Sequence, residues 1–301
     1  LSLSSDAWGS AEAAKWFRKA SEQGYPEAAE WFCTAARHWH AGGAYYVLGV
    51  IYENGQGVER NFAKAVNYYE NAARGRHPRA REWLLLAAEQ GHSEAQVSLG
   101  RLYCSGYGLK SDIAEAGKWL HMAERQGSIV AQFELGKMYY LAKDKTEAAK
   151  WFQKAAERGD NKAQFRLGEM YLEGLGVKKD EAEAIKWIRK SAEEGNENAQ
   201  CKLGCMYYEG VGMIRDYAVA ASWFRKAAEQ GGIDAMVKLG CMYSKGLGVG
   251  KDEAEAVKWM CMAFYAPDEF PWEAEKILRQ AAAHGNADAT RILHIVDNAN
   301  T

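Results

Sequence analysis

The side chains best suited to chemistry lie in the stretch CKLGCMYYEGVG, which spans residues 201–212. Cys201 and Cys205 are four residues apart, so in a helix both thiols share one face and could ligate a metal ion. Cys241 takes the position of Cys205 in a similar later stretch. The two glycines could begin a phosphate-binding loop, and the two tyrosines could belong to a binding surface. The pattern of the surrounding sequence decides among these three interpretations: a metal site, a phosphate-binding loop and a binding surface.

The stretch is one copy of a repeated pattern. A Leu-Gly pair recurs six times, and a tyrosine follows three residues after each glycine: Leu48-Gly49, Leu99-Gly100, Leu135-Gly136, Leu167-Gly168, Leu203-Gly204 and Leu239-Gly240. A G-x-G turn follows the tyrosine in five of the copies. A phosphate loop needs a preceding strand and further glycines or a Lys-Ser/Thr pair, which this pattern lacks. The turns therefore connect helices and do not bind nucleotides.

Two helices per repeat are predicted by the spacing of apolar residues. In AQFELGKMYY (131–140), apolar residues fall at i, i+4, i+7 and i+8, which is one helical face. The segment KWFQKAAERG (150–159) has the same period and ends at a glycine. D-x-x-E sequences at 112–115, 180–183 and 252–255 predict capping boxes at the start of the second helix. Each unit is thus a helix–turn–helix of about 36 residues, the spacing of the last three Leu-Gly pairs.

The combined pattern resembles the Sel1-like repeat, a variant of the tetratricopeptide repeat. It reads A-x-x-x-L-G-x-x-Y-x-x-G-x-G-V, followed by K-A-x-x-W-F-x-K-A-A-x-x-G. The resemblance implies an all-α fold: a right-handed α/α superhelical solenoid whose first helices line a concave groove. It also implies an adaptor or scaffold for protein–protein interaction. We expect one solenoid over residues 1–301, with six to seven repeats.

Strict alternation of two helices is expected to fail in three places. Segments near 25–41, 77–91 and 266–285 carry extra helical sequence, each with a proline suited to a first helical turn. We expect three-helix units or bends there. Because SAEAAKWFRKA near the start supplies only a second helix, we also expect the chain to begin within a repeat.

The resemblance also assigns side chains to the groove, through the groove-facing offsets of tetratricopeptide-like repeats around each repeat leucine. A peptide or protein segment would bind there, held by aromatic side chains with flanking charges. The expected groove residues are Tyr46, Phe133, Lys137, Tyr140, Phe165, Glu169, Glu173, Cys201, Cys205, Tyr208, Glu209, Val237 and Cys241. The alternatives are a structural spacer that binds through its convex face or its ends, and a metal- or thiol-dependent activity at the three clustered cysteines.

Composition narrows the function further. The formal net charge is −2 and the charges are interspersed, so no bulk field attracts nucleic acid. No apolar stretch approaches the ~18 residues of a membrane span. We find no Ser-His-Asp order or H-E-x-x-H, so we expect neither catalysis nor a cofactor. His121 takes the position of Gln153 and Arg225 in other copies and is expected at the surface.

The cysteines bear on the compartment in which the protein works. The six cysteines show no pairing pattern, which favours a reduced state and a reducing cytoplasm. The alternative is export after removal of a signal peptide. An oligomer is also compatible with the sequence, because the ends of a solenoid expose apolar helix faces unless they are capped.

Overall fold

A computed structural model describes residues 42–55, 58–106, 110–264 and 272–299. Within these ranges the chain is helical with short turns and has no strand. The residues fall into two compact units, 1–155 and 156–301. The helices are α1 (Gly42–Asn54), α2 (Phe62–Arg74), α3 (Pro78–Glu89), α4 (Ser93–Ser105), α5 (Ile113–Arg125), α6 (Ile129–Leu141), α7 (Lys145–Glu157), α8 (Asn161–Glu173), α9 (Glu181–Glu193), α10 (Glu197–Glu209), α11 (Tyr217–Glu229), α12 (Ile233–Lys245), α13 (Glu253–Phe264), α14 (Trp272–Ala283) and α15 (Ala287–Ala299).

The first helix of a regular unit ends at the first glycine of the G-x-G turn. Gly174 after α8 and Gly210 after α10 have φ of 71° and 79°, in the left-handed region that glycine adopts without strain. Their N–H groups donate to the carbonyls of Met170 and Met206. The glycine therefore ends the helix and satisfies one of its last carbonyls.

An aspartate begins most of the second helices. The Asp180 side chain accepts hydrogen bonds from the N–H groups of Ala182 and Glu183, and its own N–H donates to Tyr171 O at 3.0 Å. The predicted capping boxes are only half formed, because each glutamate pairs with a lysine three residues ahead, as Glu183 does with Lys186 at 3.1 Å. The tyrosine carbonyl already accepts the aspartate N–H, so the glutamate is free to pair along its own helix.

The Leu-Gly pair sets how closely the two helices of a unit approach. Leu203 is fully buried, and a Cβ built on Gly204 would lie 2.8 Å from Cδ1 of Phe224. A Cβ built on Gly136 would likewise lie 2.6 Å from Cδ1 of Phe152. No real side chain tolerates such a contact, so the glycine is needed for the aromatic ring of the second helix to pack against the first helix.

Two further helices lie in segments where the alternation of two helices was expected to fail. Helix α3 packs against both α2 and α4, and α14 packs against α12, α13 and α15. The third such segment, near 25–41, lies outside the described residues, as does the chain start on which the expectation of a partial first repeat depends. Whether the whole chain forms one solenoid stays a prediction.

Candidate partner-binding surface

In unit 1–155 the expected groove residues on α1 and α6 lie at the surface, in contact with other side chains. Tyr46 is half-buried, and its ring stacks on that of His77 with centroids 4.4 Å apart. Phe133 is half-buried against Phe152. Tyr140 remains 38% exposed, with Lys145 Nζ over its ring. These aromatic rings are held by neighbours on one side and are accessible to a partner on the other.

Beside them, two buried carboxylates hold a row of cations between α2, α4 and α6. Arg101 Nε donates to Glu134 at 2.8 Å, and its guanidinium lies 3.5 Å from Glu70. Glu134 also pairs with Lys137 at 2.7 Å, and Glu70 accepts a hydrogen bond from the Ser98 hydroxyl. Burial alone would lower the pKa of Arg101, but the two carboxylates raise it. The guanidinium is therefore fixed in place and charged.

This charged cluster borders a surface depression of about 320 Å³. Arg74, Arg101 and Lys137 contribute three positive charges against the two of Glu70 and Glu134, which leaves one positive charge in excess. The depression is lined by Arg74, Arg101, Cys104, Ser105, Glu134, Lys137, Met138 and Leu141. The Leu141 side chain is 63% exposed at its edge, so an apolar group and fixed charges lie side by side.

The carboxylates of this cluster were not among the expected site residues, although the sequence contained a signal for one of them. Glu134 precedes the repeat leucine, where the later copies have Arg166, Lys202 and Lys238. A reversed charge at one repeat position indicates a local ion pair. The sequence does not indicate that Glu70 and Glu134 share a partner, because they lie far apart along the chain. They are joined only through Arg101, which belongs to a third helix.

In unit 156–301 the expected residues form a second half-buried surface on α8 and α10. Phe165 packs partly against the core around Ile188 and Leu203. The Tyr208 ring meets that of Tyr217 edge-on, with centroids 5.1 Å apart.

The charged and apolar positions of this unit differ in how accessible they are. Glu169 pairs with Arg166 at 3.0 Å, while Glu173 and Glu209 are exposed. Val237 is buried at 3% exposure in the core of α12, so its side chain is not available to a partner. The tetratricopeptide offset places this position at the surface, but the short valine side chain is covered by its neighbours.

The three thiols expected in the groove, those of Cys201, Cys205 and Cys241, lie half-buried beside the core of this unit. Cys201 donates a hydrogen bond to Cys205, which raises the pKa of Cys201 and lowers that of Cys205. Among the described residues, no group of three His, Cys, Asp or Glu side chains is placed to hold a metal ion. No disulfide forms among the five described cysteines.

His121 differs from its expectation. It is half-buried, and its ring meets that of Trp151 edge-on at 5.4 Å. Burial lowers its pKa. The shorter imidazole stays against the tryptophan, whereas the arginine at this position in α11 reaches the next helix: Arg225 donates to the hydroxyl of Tyr243 at 2.6 Å.

Comparison with known proteins agrees with this architecture. The Sel1 repeat model matches residues 10–25, 43–77, 76–92, 93–128, 129–160, 161–196, 198–232 and 233–268. A Sel1 repeat protein from Oxalobacter formigenes is 27% identical and has a TM-score of 0.64, covering 93% of this chain and 94% of that one. A protective antigen of uropathogenic Escherichia coli strains, which displays an SLR fold, is 29% identical with a TM-score of 0.56, covering 92% and 73%. No curated protein sequence matches the chain.

The repeated pairs of helices define an all-α helical-repeat protein. The chain belongs to the Sel1 repeat family, and the predicted fold class is confirmed. Proteins of this family are generally interaction scaffolds and are typically not enzymes. None of the described helices has the length and apolar character needed to cross a membrane.

Proposed function

We propose that this protein is a non-enzymatic adaptor that binds a peptide or protein segment along its first helices. The observation that supports this most is the depression beside Arg101, where buried carboxylates fix the cations before any partner arrives. A preorganised surface loses little side-chain entropy on binding. The half-buried aromatic residues on α6, α8 and α10 supply contact area at low entropic cost.

The chemistry of the surface suits an acidic segment that carries an apolar side chain. The excess positive charge beside Arg74 and Lys137 attracts a carboxylate, and the exposed Leu141 accepts an apolar contact. A protein fits this mixture better than a nucleic acid does, because the single positive charge in excess would release few counterions from a nucleic acid. The partner is therefore a protein segment with alternating acidic and apolar residues.

Affinity capture from native lysate, followed by mass spectrometry, tests this function. Wild type is compared with a Tyr140→Ala, Phe165→Ala, Tyr208→Ala variant, whose folding is checked by circular dichroism. A matched control carries Lys186→Ala and Lys190→Ala on the exposed face of α9. We expect some proteins to be captured by wild type and by the control variant but not by the aromatic variant. Identical lists for all three would contradict binding at the first helices and would favour the spacer alternative.

A further inference from the structure

A second opening lies on α5, which is the second helix of its repeat, in unit 1–155. It measures about 630 Å³ and lies above α5, with the end of α6 beneath it. Its lining is apolar apart from Lys118, His121, Arg125 and Tyr139, and it includes no carboxylate. Two of its apolar residues are exposed, Ile113 at 38% and Met122 at 41%. We call this opening the α5 notch: Ile113, Ala114, Gly117, Lys118, His121, Met122, Arg125, Met138 and Tyr139.

Other repeats show what covers this place. In the regular repeats, the G-x-G turn that joins the two helices of one repeat lies against the start of the second helix of the repeat before it. A Cβ on Gly212 would lie 2.8 Å from Cδ1 of Ile185 in α9, and one on Gly248 would collide with the backbone of Tyr217 in α11. The aliphatic residues beside these glycines, such as Val211 and Met213, pack against the same core as Ile185. In these units a short glycine-aliphatic loop covers the start of the helix.

The α5 notch is open because two features of this unit differ. The turn after α6 has only three residues, 142–144, and lacks the G-x-G sequence, so no loop reaches back to α5. Gly117 also stands where α9 has Ile185, the residue that meets the covering turn. A Cβ there would meet only Met138, at 3.6 Å, so helix packing does not require this glycine. The missing loop and the missing side chain together leave the space.

We infer that the α5 notch binds a partner protein through a short aliphatic segment, of the glycine-aliphatic type, that takes the place of the missing turn. Lys118 at the rim is already paired with Glu115, so Arg125 supplies the positive charge that is available to a partner. With no carboxylate in the lining, this charge favours a segment with acidic residues near the aliphatic ones. This site goes beyond the proposed groove: it uses none of the residues expected there and shares only Met138 with the depression beside Arg101.

The probe is a synthetic peptide with the sequence of residues 174–183, GLGVKKDEAE, which is the turn of another repeat followed by two lysines and then by three acidic residues. Binding is followed by NMR of methyl-labelled methionine and isoleucine in the intact protein. We expect shifts at Met122, Met138 and Ile113 that saturate with peptide, and none at Met206 or Met242. The control peptide GSGSKKDEAE, which lacks both aliphatic side chains, should leave every signal in place.

Two variants test whether the peptide binds in the notch itself. Gly117→Ile restores the residue of α9 and fills the space, so we expect affinity for the peptide to fall at least about tenfold. Tyr140→Ala, which weakens the proposed groove, should leave the peptide affinity unchanged. Absence of shifts in wild type, or equal shifts in Gly117→Ile, overturns the inference. Shifts of Met122 that depend on protein concentration without peptide would assign the notch to a second copy of the chain and also overturn it.

Discussion

At the residue scale, the glycine of the Leu-Gly pair is a requirement of packing. The Phe224 ring fills the position where a side chain at 204 would be. We expect Gly204→Ala to lower the free energy of unfolding by about 1–3 kcal/mol, because the ring or the helix must move. Chemical denaturation measures this change.

Gly117→Ala is the matched control for that substitution. Its Cβ enters ordinary contact with Met138, so the variant should gain about 0.5–1 kcal/mol from the better helix propensity of alanine. We therefore predict that alanine lowers the free energy of unfolding at position 204 and raises it at position 117. Equal effects would show that close packing does not decide the role of Gly204.

The half-buried His121 predicts a dependence of stability on pH. Burial lowers its pKa in the folded state, so the unfolded chain takes up the proton first as pH falls. The stabilisation is fully present above the unfolded pKa of about 6.5 and is lost as pH falls below it.

Urea unfolding near pH 7.5 and near pH 5.5 should therefore show a smaller loss of stability for His121→Gln than for wild type. Glutamine stands at this position in α7, as Gln153. The pKa of His77 is also lowered, by burial and by Arg79, and gives both proteins the same background dependence. If wild type and His121→Gln lose the same free energy of unfolding between the two pH values, His121 is not a source of the pH dependence.

At the element scale, the shortened turn after α6 carries local strain. Lys143 has φ of 65°, a left-handed conformation that costs a residue with a Cβ roughly 1 kcal/mol. We expect Lys143→Gly to raise the midpoint of thermal unfolding by a few degrees. Ala142→Gly, at φ of −70°, should lower it, since glycine there only adds freedom to the unfolded chain. A lower midpoint for Lys143→Gly would contradict the assignment of strain to this turn.

The helices and their pairing could be predicted from sequence because each unit repeats the same local signals. Leu203, Gly204 and Gly210 recur at fixed spacing, and a repeated signal is stronger than any single propensity. The capping boxes were only partly right. The glutamate of each box has two possible partners, and only the fold shows that the cap N–H is already bonded to a tyrosine carbonyl.

The candidate sites could be predicted less completely because they depend on departures from the repeat. Val237 was expected at the surface from an offset that ignores side-chain length, and it is buried. The joining of Glu70 to Glu134 by Arg101 needs three helices in place, which a repeat pattern does not specify. The α5 notch results from Gly117, which has no side chain, and from the turn after α6, which lacks the G-x-G loop. Their effect becomes visible only by comparison with the repeats in which such a loop covers the start of the second helix.

At the scale of the whole molecule, repetition supplies the architecture and irregularity supplies the candidate binding surfaces. The unit 1–155 has a short turn and a reversed charge, and it contains both the charged depression and the α5 notch. The unit 156–301 is more regular and presents Phe165 and Tyr208 on successive first helices. The proposed adaptor therefore has sites of different chemistry in its two units.

Photo-crosslinking tests the central claim, that partners bind along the first helices, most directly. A benzoylphenylalanine is placed at position 140, 208 or, as a control on the exposed face of α9, 190, and each protein is irradiated in native lysate. We predict that positions 140 and 208 crosslink the proteins found by affinity capture and that position 190 does not. Crosslinks to those proteins from position 190 alone would contradict the claim.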